Sequence, residues 1–141
     1  MKYFFSLLLS IAIISVATAQ DFKKVETNVY LKKFEDAKTE IDKSMADPKN
    51  QAKAEGYYWK SRIYAALFQN EATRAKYPTA VEDAHAAFQK YAEMDPALAK
   101  VKEKGADGYF DMYATSFGVG INSFKEKKYE AASKEFEKAV V

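Results

Sequence analysis

Two pairs of acidic residues have a spacing that could support chemistry. Asp107 and Asp111 lie four residues apart, as do Glu126 and Glu130, so each pair could share one face of a helix. Paired carboxylates can hydrolyse glycosidic bonds or bind a divalent metal ion. Both pairs, however, lie among lysines or at the start of a predicted helix, where acidic side chains complement the helix dipole. The sequence therefore predicts solvated helix faces here, and a hydrolase using Asp107 and Asp111 is a remote alternative.

The other residue types that often carry chemistry are isolated in this chain. His85 is the only histidine, and no serine lies within helical reach of it, a setting typical of surface or half-buried histidines. Gly118 and Gly120 do not form a phosphate loop, because no strand precedes them and no Lys-Ser/Thr pair follows. No serine-hydrolase or zinc-protease motif is present. We therefore expect no enzymatic activity, no cofactor and no metal.

The composition favours a single helical domain that does not bind nucleic acid. The 141 residues, 48% hydrophobic and 30% charged with only 5 Gly and 3 Pro, suffice for one modest helical core. The net charge is +2 with both signs interspersed, and no basic block could follow a phosphate backbone. The absence of cysteine excludes disulfides and thiolate metal sites.

The N-terminus has the layout of a secretory signal peptide. Lys2 supplies a positive charge, residues 3–16 are apolar except for serines, and Ala17-Thr18-Ala19 forms a cleavage site between small residues. The apolar run is shorter than the roughly 20 residues that a membrane span needs. We therefore expect residues 1–19 to be removed. The mature domain, residues 20–141, would be exported to the periplasm or the medium without stable membrane insertion.

A spacing of 47 to 48 residues recurs along the chain. The segments 34–37 (FEDA), 81–84 (VEDA) and 129–132 (YEAA) begin similar stretches, and their last alanines are 47 and then 48 residues apart. The pairs Asp47-Pro48 and Asp95-Pro96 are also 48 residues apart. Self-similarity at such a period is typical of a stacked helical array. The sequence therefore predicts an all-α fold of about three antiparallel helix pairs.

Hydrophobic periodicity places six helices in these three hairpins. A polar connector is expected over 69–78 and a short extra turn over 97–104. Apolar and small residues in the last two helices have the spacing of one buried face each, namely Phe117, Gly120, Ile121 and Phe124, then Tyr129, Ala132, Phe136 and Ala139. The predicted helices span about residues 22–32, 34–46, 50–68, 78–95, 106–125 and 128 to the end.

The last hairpin resembles the tetratricopeptide repeat (TPR) family. Val119-Gly120, Tyr129, Ala132, Phe136 and Ala139 match the family's large-Gly pair and its Tyr, Ala, Phe and Ala positions. A standard TPR unit has about 34 residues. The period here is longer, so a longer two-helix repeat such as HEAT is the alternative. The resemblance implies a TPR-like α-solenoid that binds a protein or peptide and has no catalytic role.

The same resemblance implies where a partner would bind. In TPR proteins the first helix of each pair lines a concave groove that takes an extended or helical peptide. The corresponding positions of this chain are Tyr58, Arg62, Phe117, Ile121 and Lys125. Burial of Tyr58, Phe117 and Ile121 in a core is the alternative, because stripes at helical spacing are usually core. The family's carboxylate clamp needs an Asn where this chain has Arg62 or Ile121, so we do not expect a clamp.

The sequence ends on an apolar pair, Val140 and Val141. Terminal repeats of a solenoid normally carry a polar outer face. Dimerisation at this end is one interpretation, and a longer array of which residues 20–141 are the N-terminal part is another. A second functional hypothesis follows from the same residues: the protein would be a structural subunit or assembly factor of an envelope complex, docking through its apolar C-terminal end.

Overall fold

The chain folds into helices joined by short turns. A computed structural model describes residues 22–139, which contain nine α-helices and no strand. This confirms the predicted all-α fold. The predicted signal peptide (residues 1–19) and the pair Val140 and Val141 lie outside the described residues. The helices are α1 (Lys23–Tyr30), α2 (Phe34–Met45), α3 (Pro48–Gln51), α4 (Ala54–Gln69), α5 (Glu71–Lys76), α6 (Ala80–Met94), α7 (Ala99–Lys104), α8 (Tyr109–Lys125) and α9 (Tyr129–Lys138).

The six predicted helices correspond to α1, α2, α4, α6, α8 and α9, and the predicted extra turn is α7. The helix predicted over 50–68 starts later, because a separate short helix, α3, precedes it. Asp47 caps α3 by accepting a hydrogen bond from the Lys49 amide at 2.9 Å. Lys53 then has an extended backbone, with φ −109° and ψ 121°, so α4 begins anew at Ala54.

The connector predicted over 69–78 contains a helix, α5, that its polar composition did not indicate. The Asn70 side chain caps it by accepting from the amides of Ala72 at 2.9 Å and Thr73 at 3.5 Å. The Arg74 side chain returns to the end of α4 and donates to the carbonyls of Phe68 and Gln69. These side-chain contacts attach α5 to α4, and the prediction of a plain connector was wrong.

Helix α4 is the centre of the fold. It packs against α2 on one side and α6 on the other, and it also contacts α8. Helices α1 and α2 pack together, as do α8 and α9. Tyr58, Trp59, Ile63 and Leu67 of α4 are fully buried, so most of the core lies along this helix.

The turns of the first hairpin (α1–α2) and the last hairpin (α8–α9) have the same backbone geometry. Lys32 and Lys127 adopt positive φ values of 56° and 61°. In each turn the amide of this lysine bonds to the carbonyl three residues earlier, and the next amide bonds to the carbonyl five residues before itself. This pair of bonds is the Schellman motif that ends many helices.

Aligning these two turns gives a residue-by-residue correspondence between the two hairpins. Equivalent positions differ by 95 in number, as Lys32 and Lys127 do. Ala37 and Ala132, both buried, then coincide. The pairs used below are Phe22 with Phe117, Val25 with Gly120, Val29 with Phe124, Tyr30 with Lys125, Phe34 with Tyr129, and Ile41 with Phe136.

Candidate functional site

Two of the five predicted binding residues, Tyr58 and Arg62, lie in a buried polar network on α4. The Arg62 guanidinium donates to the Tyr58 hydroxyl at 3.0 Å, to the Lys104 carbonyl at 3.1 Å and to the Asp107 carboxylate at 2.8 Å. The Tyr58 hydroxyl in turn donates to the Gly105 carbonyl at 3.0 Å. This network fastens the segment before α8 onto α4. Tyr58 is fully buried, so it does not form part of a partner-binding surface.

Burial also governs the protonation state of this network. It raises the pKa of the Tyr58 hydroxyl, although the neighbouring Arg62 opposes the change. The hydroxyl therefore stays neutral at physiological pH and can act at once as donor and acceptor. Arg62, with a side chain only 8% exposed against 79% for Asp107, is held by protein partners on three sides. Its main role in this structure is structural.

Above this network lies a concave surface that we call the Arg62 cleft. It has a volume of about 420 Å³ and lies between the end of α1, the α1–α2 turn and the C-terminal half of α4. The Tyr30 ring forms one wall, with its centroid 6.0 Å from the Arg62 guanidinium carbon. The lining residues are Val29, Tyr30, Lys32, Phe34, Arg62, Ala66, Gln69, Asp107 and Gly108.

The Arg62 cleft continues into a second hollow of about 330 Å³. The two share Lys32, Phe34 and Ala66, and the second extends past the end of α4 to Asn70 and to Thr73 of α5. Together they form a groove along the end of α4 with an aromatic wall, both signs of charge and the amide side chains of Gln69 and Asn70. Such a surface can pack an apolar side chain and hydrogen-bond an extended backbone.

The remaining three predicted binding residues lie elsewhere, on α8. Phe117 and Lys125 are exposed and Ile121 is half-buried. None of the three lines the Arg62 cleft, so the structure does not unite the five residues in one groove. The predicted buried face of this helix is also wrong in part, because Gly120 is buried against Phe136 while Phe117 and Phe124 are exposed.

Phe117 belongs to a larger surface that we call the aromatic row: Phe110, Phe117 and Phe124 of α8, with Tyr129 of α9. Their exposed fractions are 77%, 56%, 57% and 59%. The three phenylalanines are seven residues apart and therefore lie along one side of the helix. The ring centroids of Tyr129 and Phe124 are 5.4 Å apart, and those of Phe136 and Phe117 are also 5.4 Å apart. The sequence shows the seven-residue spacing of these phenylalanines, but it does not show that their side chains are exposed.

Three of the four acidic residues that are spaced four apart take part in ion pairs. Asp107 pairs with Arg62, Glu126 with Lys128 at 2.7 Å and Glu130 with Lys134 at 3.0 Å. The hydrogen bond from Lys128 lowers the pKa of the Glu126 carboxyl, which opposes a role as general acid. The side chain of Asp111 lies outside the described part of the structure. Among the described residues, no cluster of His, Asp and Glu could hold a metal ion.

His85 lies beside a third cleft, of about 590 Å³, between α6 and α9. Its ring meets that of Tyr113 edge-on at 6.5 Å. Burial lowers the pKa of His85, and its Nε2 atom is buried without a hydrogen-bond partner among the described residues. His85 is therefore half-buried.

The length and hydropathy of the described helices decide whether any of them could span a membrane. Between residues 22 and 139, none is both long enough and apolar enough to cross a bilayer.

Comparisons with models of protein families, with curated proteins and with solved structures found no match.

Proposed function

We propose that this protein is an exported, non-catalytic scaffold that binds an extended segment of another protein in the Arg62 cleft. The observation that carries the proposal is the cleft itself, with its half-exposed aromatic wall at Tyr30 and its floor at Arg62 and Asp107. Aromatic side chains at the edge of a groove often act as anchors for a partner. The binding residues of this proposal are therefore Tyr30 and Gln69 rather than Tyr58.

A TPR-like solenoid is the architecture that we propose for the scaffold. Its support is the shared geometry of the first and last turns, in which both lysines have positive φ and the same two hydrogen bonds. The order of packing, α2 on α4 and α4 on α6 and α8, is also that expected of stacked hairpins. In such an array the first helices of successive pairs line one surface, and α1 and α4 both contribute to the Arg62 cleft.

The absence of catalysis is part of the proposal and rests on how the charged groups are used. Arg62, Glu126 and Glu130 each have an ion-pair partner. A general base needs a reacting group within hydrogen-bond reach. Because these side chains are held in ion pairs with Asp107, Lys128 and Lys134, binding is the simpler account of the surface.

Export is proposed from the sequence alone and can be tested directly. The mature protein should begin at Gln20, after cleavage behind Ala19. The mass of the protein recovered from the periplasm or the medium would show this. Recovery of uncleaved protein from the cytoplasm would contradict it.

Two exposed tyrosines provide a matched test of the cleft. Tyr30 and Tyr129 are 56% and 59% exposed and lie on different surfaces. We expect the protein to capture a partner from the envelope fraction of its cells, and Tyr30→Ala to weaken capture by tenfold or more while Tyr129→Ala leaves it unchanged. Overlapping peptides of the captured partner, measured by fluorescence anisotropy, would then locate an extended segment that binds directly.

Arg62 is unsuitable for this experiment because its substitution would disturb the fold. Gln69→Ala is the better second variant, since its side chain lines the cleft and makes only a long contact, 3.5 Å, to the Gly108 carbonyl. Equal capture by the original protein, Tyr30→Ala and Gln69→Ala would overturn binding in the cleft.

A second candidate function is a structural subunit that docks through its C-terminal region. The aromatic row favours it, since four large aromatic side chains are exposed on the last hairpin. Loss of capture in Tyr129→Ala, with Tyr30→Ala unaffected, would favour this candidate over the cleft.

A further inference from the structure

The aromatic row is symmetric about the middle of α8. The helix runs from Tyr109 to Lys125, so its central residue is Phe117. Phe110 lies seven residues before it and Phe124 seven residues after it. A second helix with the same spacing could therefore lie antiparallel across this face with each of its aromatic side chains opposite one of α8.

The equivalent face of the first hairpin shows that a helix can cover such residues. Phe22 and Val29, the counterparts of Phe117 and Phe124, are buried, and α4 packs against that hairpin. Within residues 22–139, α4 contacts α8, but no helix covers Phe117 or Phe124, which are 56% and 57% exposed. The exposed aromatic side chains of the last hairpin thus occupy positions that this fold elsewhere uses for helix packing.

We propose that a second copy of this chain docks on the aromatic row, with the two α8 helices antiparallel about a two-fold axis at Phe117. Phe117 would then pack against Phe117 of the second copy, and Phe110 against Phe124 of the second copy. Ala114 and Ile121, on the same side of the helix, would fill the space between the rings. This goes beyond the proposed binding in the Arg62 cleft, because the aromatic row lies on a different surface; of the residues used here, Asp107 alone also lines the cleft.

Charge complementarity supports a copy of this chain as the occupant. Asp107 lies ten residues before Phe117, and Lys127 lies ten residues after it. Both are exposed at opposite ends of α8. The antiparallel arrangement therefore brings the N-terminal end of each α8, where Asp107 lies, near the C-terminal end of the other, where Lys125, Lys127 and Lys128 lie. A parallel arrangement would instead place like charges together.

The available area is sufficient for a weak but specific dimer. At about 150–250 Å² for each Phe or Tyr, the exposed fractions of the aromatic row amount to roughly 500 Å² per copy. Two copies would then bury on the order of 1,000 Å², which is near the lower limit of specific interfaces. We therefore expect an equilibrium between monomer and dimer at micromolar concentrations rather than a permanent dimer.

Sedimentation equilibrium over a range of concentrations tests this proposal on the protein as its cells produce it. We expect a concentration-dependent dimer, and a dissociation constant that Phe117→Ala raises by roughly 100-fold, because the substitution removes a central aromatic contact from both copies. Phe110→Ala is a second variant, chosen because its exposed side chain is not needed for the fold. Tyr30→Ala, on the Arg62 cleft, should leave the dimer unchanged.

The charge arrangement has its own matched pair of variants. Lys127→Glu would place a negative charge at the C-terminal end of each α8, near Asp107 at the N-terminal end of the other. The dimer should then weaken at least tenfold at low salt. Lys32→Glu changes the equivalent position of the first hairpin, with nearly the same φ, and should have no effect on the dimer. Circular dichroism would check that all variants keep their helix content.

Three outcomes would overturn the proposal. One is a monomer at every concentration up to several hundred micromolar. Another is a dimer that Phe117→Ala and Phe110→Ala do not weaken. The third is a monomer whose aromatic row binds a helix of a different protein. Since Tyr30→Ala tests the Arg62 cleft separately, failure of the dimer would leave the proposed function standing, and the reverse also holds.

Discussion

The first and last hairpins share a turn but differ in what covers them. Phe22 is 3% exposed and its counterpart Phe117 is 56% exposed; Val29 is 4% exposed and its counterpart Phe124 is 57% exposed. A change of residue type cannot explain the first of these differences, since Phe22 and Phe117 are the same amino acid. The difference arises from position in the stack, because α4 packs against Phe22 of the first hairpin, whereas no described helix covers Phe117 or Phe124 of the last. The same local structure therefore supplies core at one end and surface at the other.

The comparison also shows how two differently sized pairs fill equivalent space. The first hairpin has Val25 and Ile41 where the last has Gly120 and Phe136. The larger Phe136 ring occupies the space beside Gly120, where an added Cβ would lie 2.6 Å from a ring carbon. Gly120 is thus required by its partner and not by its backbone conformation.

The largest expected effect comes from the same substitution at the two equivalent phenylalanines. Phe22→Ala should lower the free energy of unfolding by about 3–5 kcal/mol, because it leaves a cavity among buried side chains. Phe117→Ala should cost less than about 1 kcal/mol in the monomer, because much of the side chain is already in water. Urea denaturation at concentrations that keep the protein monomeric measures both. Equal losses would show that the two hairpins are not differently covered.

The second expected effect concerns how the last hairpin is attached. Arg62→Met should destabilise the protein by roughly 3 kcal/mol, since it leaves the Tyr58 hydroxyl and Lys104 carbonyl without a donor in a buried site. Asp107→Asn should cost less than about 1 kcal/mol, because its side chain is largely exposed and keeps a hydrogen-bonding oxygen. Hydrogen exchange should show faster opening of α8 and α9 than of α1 and α2 in Arg62→Met. Uniform loss of protection would contradict a role in attachment.

Two glycines in the same helix give the third prediction. Gly118→Ala should stabilise the protein by about 0.5–1 kcal/mol, because nothing lies within 4 Å of the added Cβ and alanine favours helix. Gly120→Ala should instead destabilise it by about 1–2 kcal/mol through the clash with Phe136. The double variant Gly120→Val/Phe136→Ile copies the pair of the first hairpin and should recover part of that loss. Thermal unfolding measures all three, and a stabilising Gly120→Ala would refute the packing argument.

The helices were predictable because their periodic apolar residues are local. The TPR-like spacing of Gly120, Ala132 and Phe136 likewise predicts the close approach of α8 and α9 that the structure shows. Core burial of Tyr58 was the alternative that its helical spacing favoured, and it is confirmed. The burial of Arg62 was not predictable, because the segment that covers it lies more than 40 residues further along the chain. The exposure of Phe117 was not predictable either, because it depends on the absence of a described helix over that side chain. Helical spacing selects a face, but it does not indicate whether another helix packs there.

The smallest expected effect is an acid sensitivity confined to the last hairpin. His85 is the only histidine in the chain, and it lies at the contact of α6 with α8 and α9. Because burial lowers the pKa of His85 in the folded state, its unfolded form binds a proton more readily. This contribution to stability is therefore complete above pH 6.5, the ordinary value, and decreases as the pH falls below it.

The charged groups around His85 limit the size of this effect. A hydrogen bond with the Lys138 backbone of α9 and the charge of Glu82 on its own helix both raise the pKa of His85, whereas the charge of Lys138 lowers it. The Lys138 ammonium itself pairs with Glu82 and Glu135. We expect the single imidazole resonance to titrate below pH 6.5 by NMR. Amide exchange in α9 should rise a few-fold relative to α2 between pH 7 and pH 5, once corrected for intrinsic rates, and His85→Gln should abolish that difference. An equal rise in α2, which has no histidine beside it, would mean that acid acts on the whole stack and not on its exposed end.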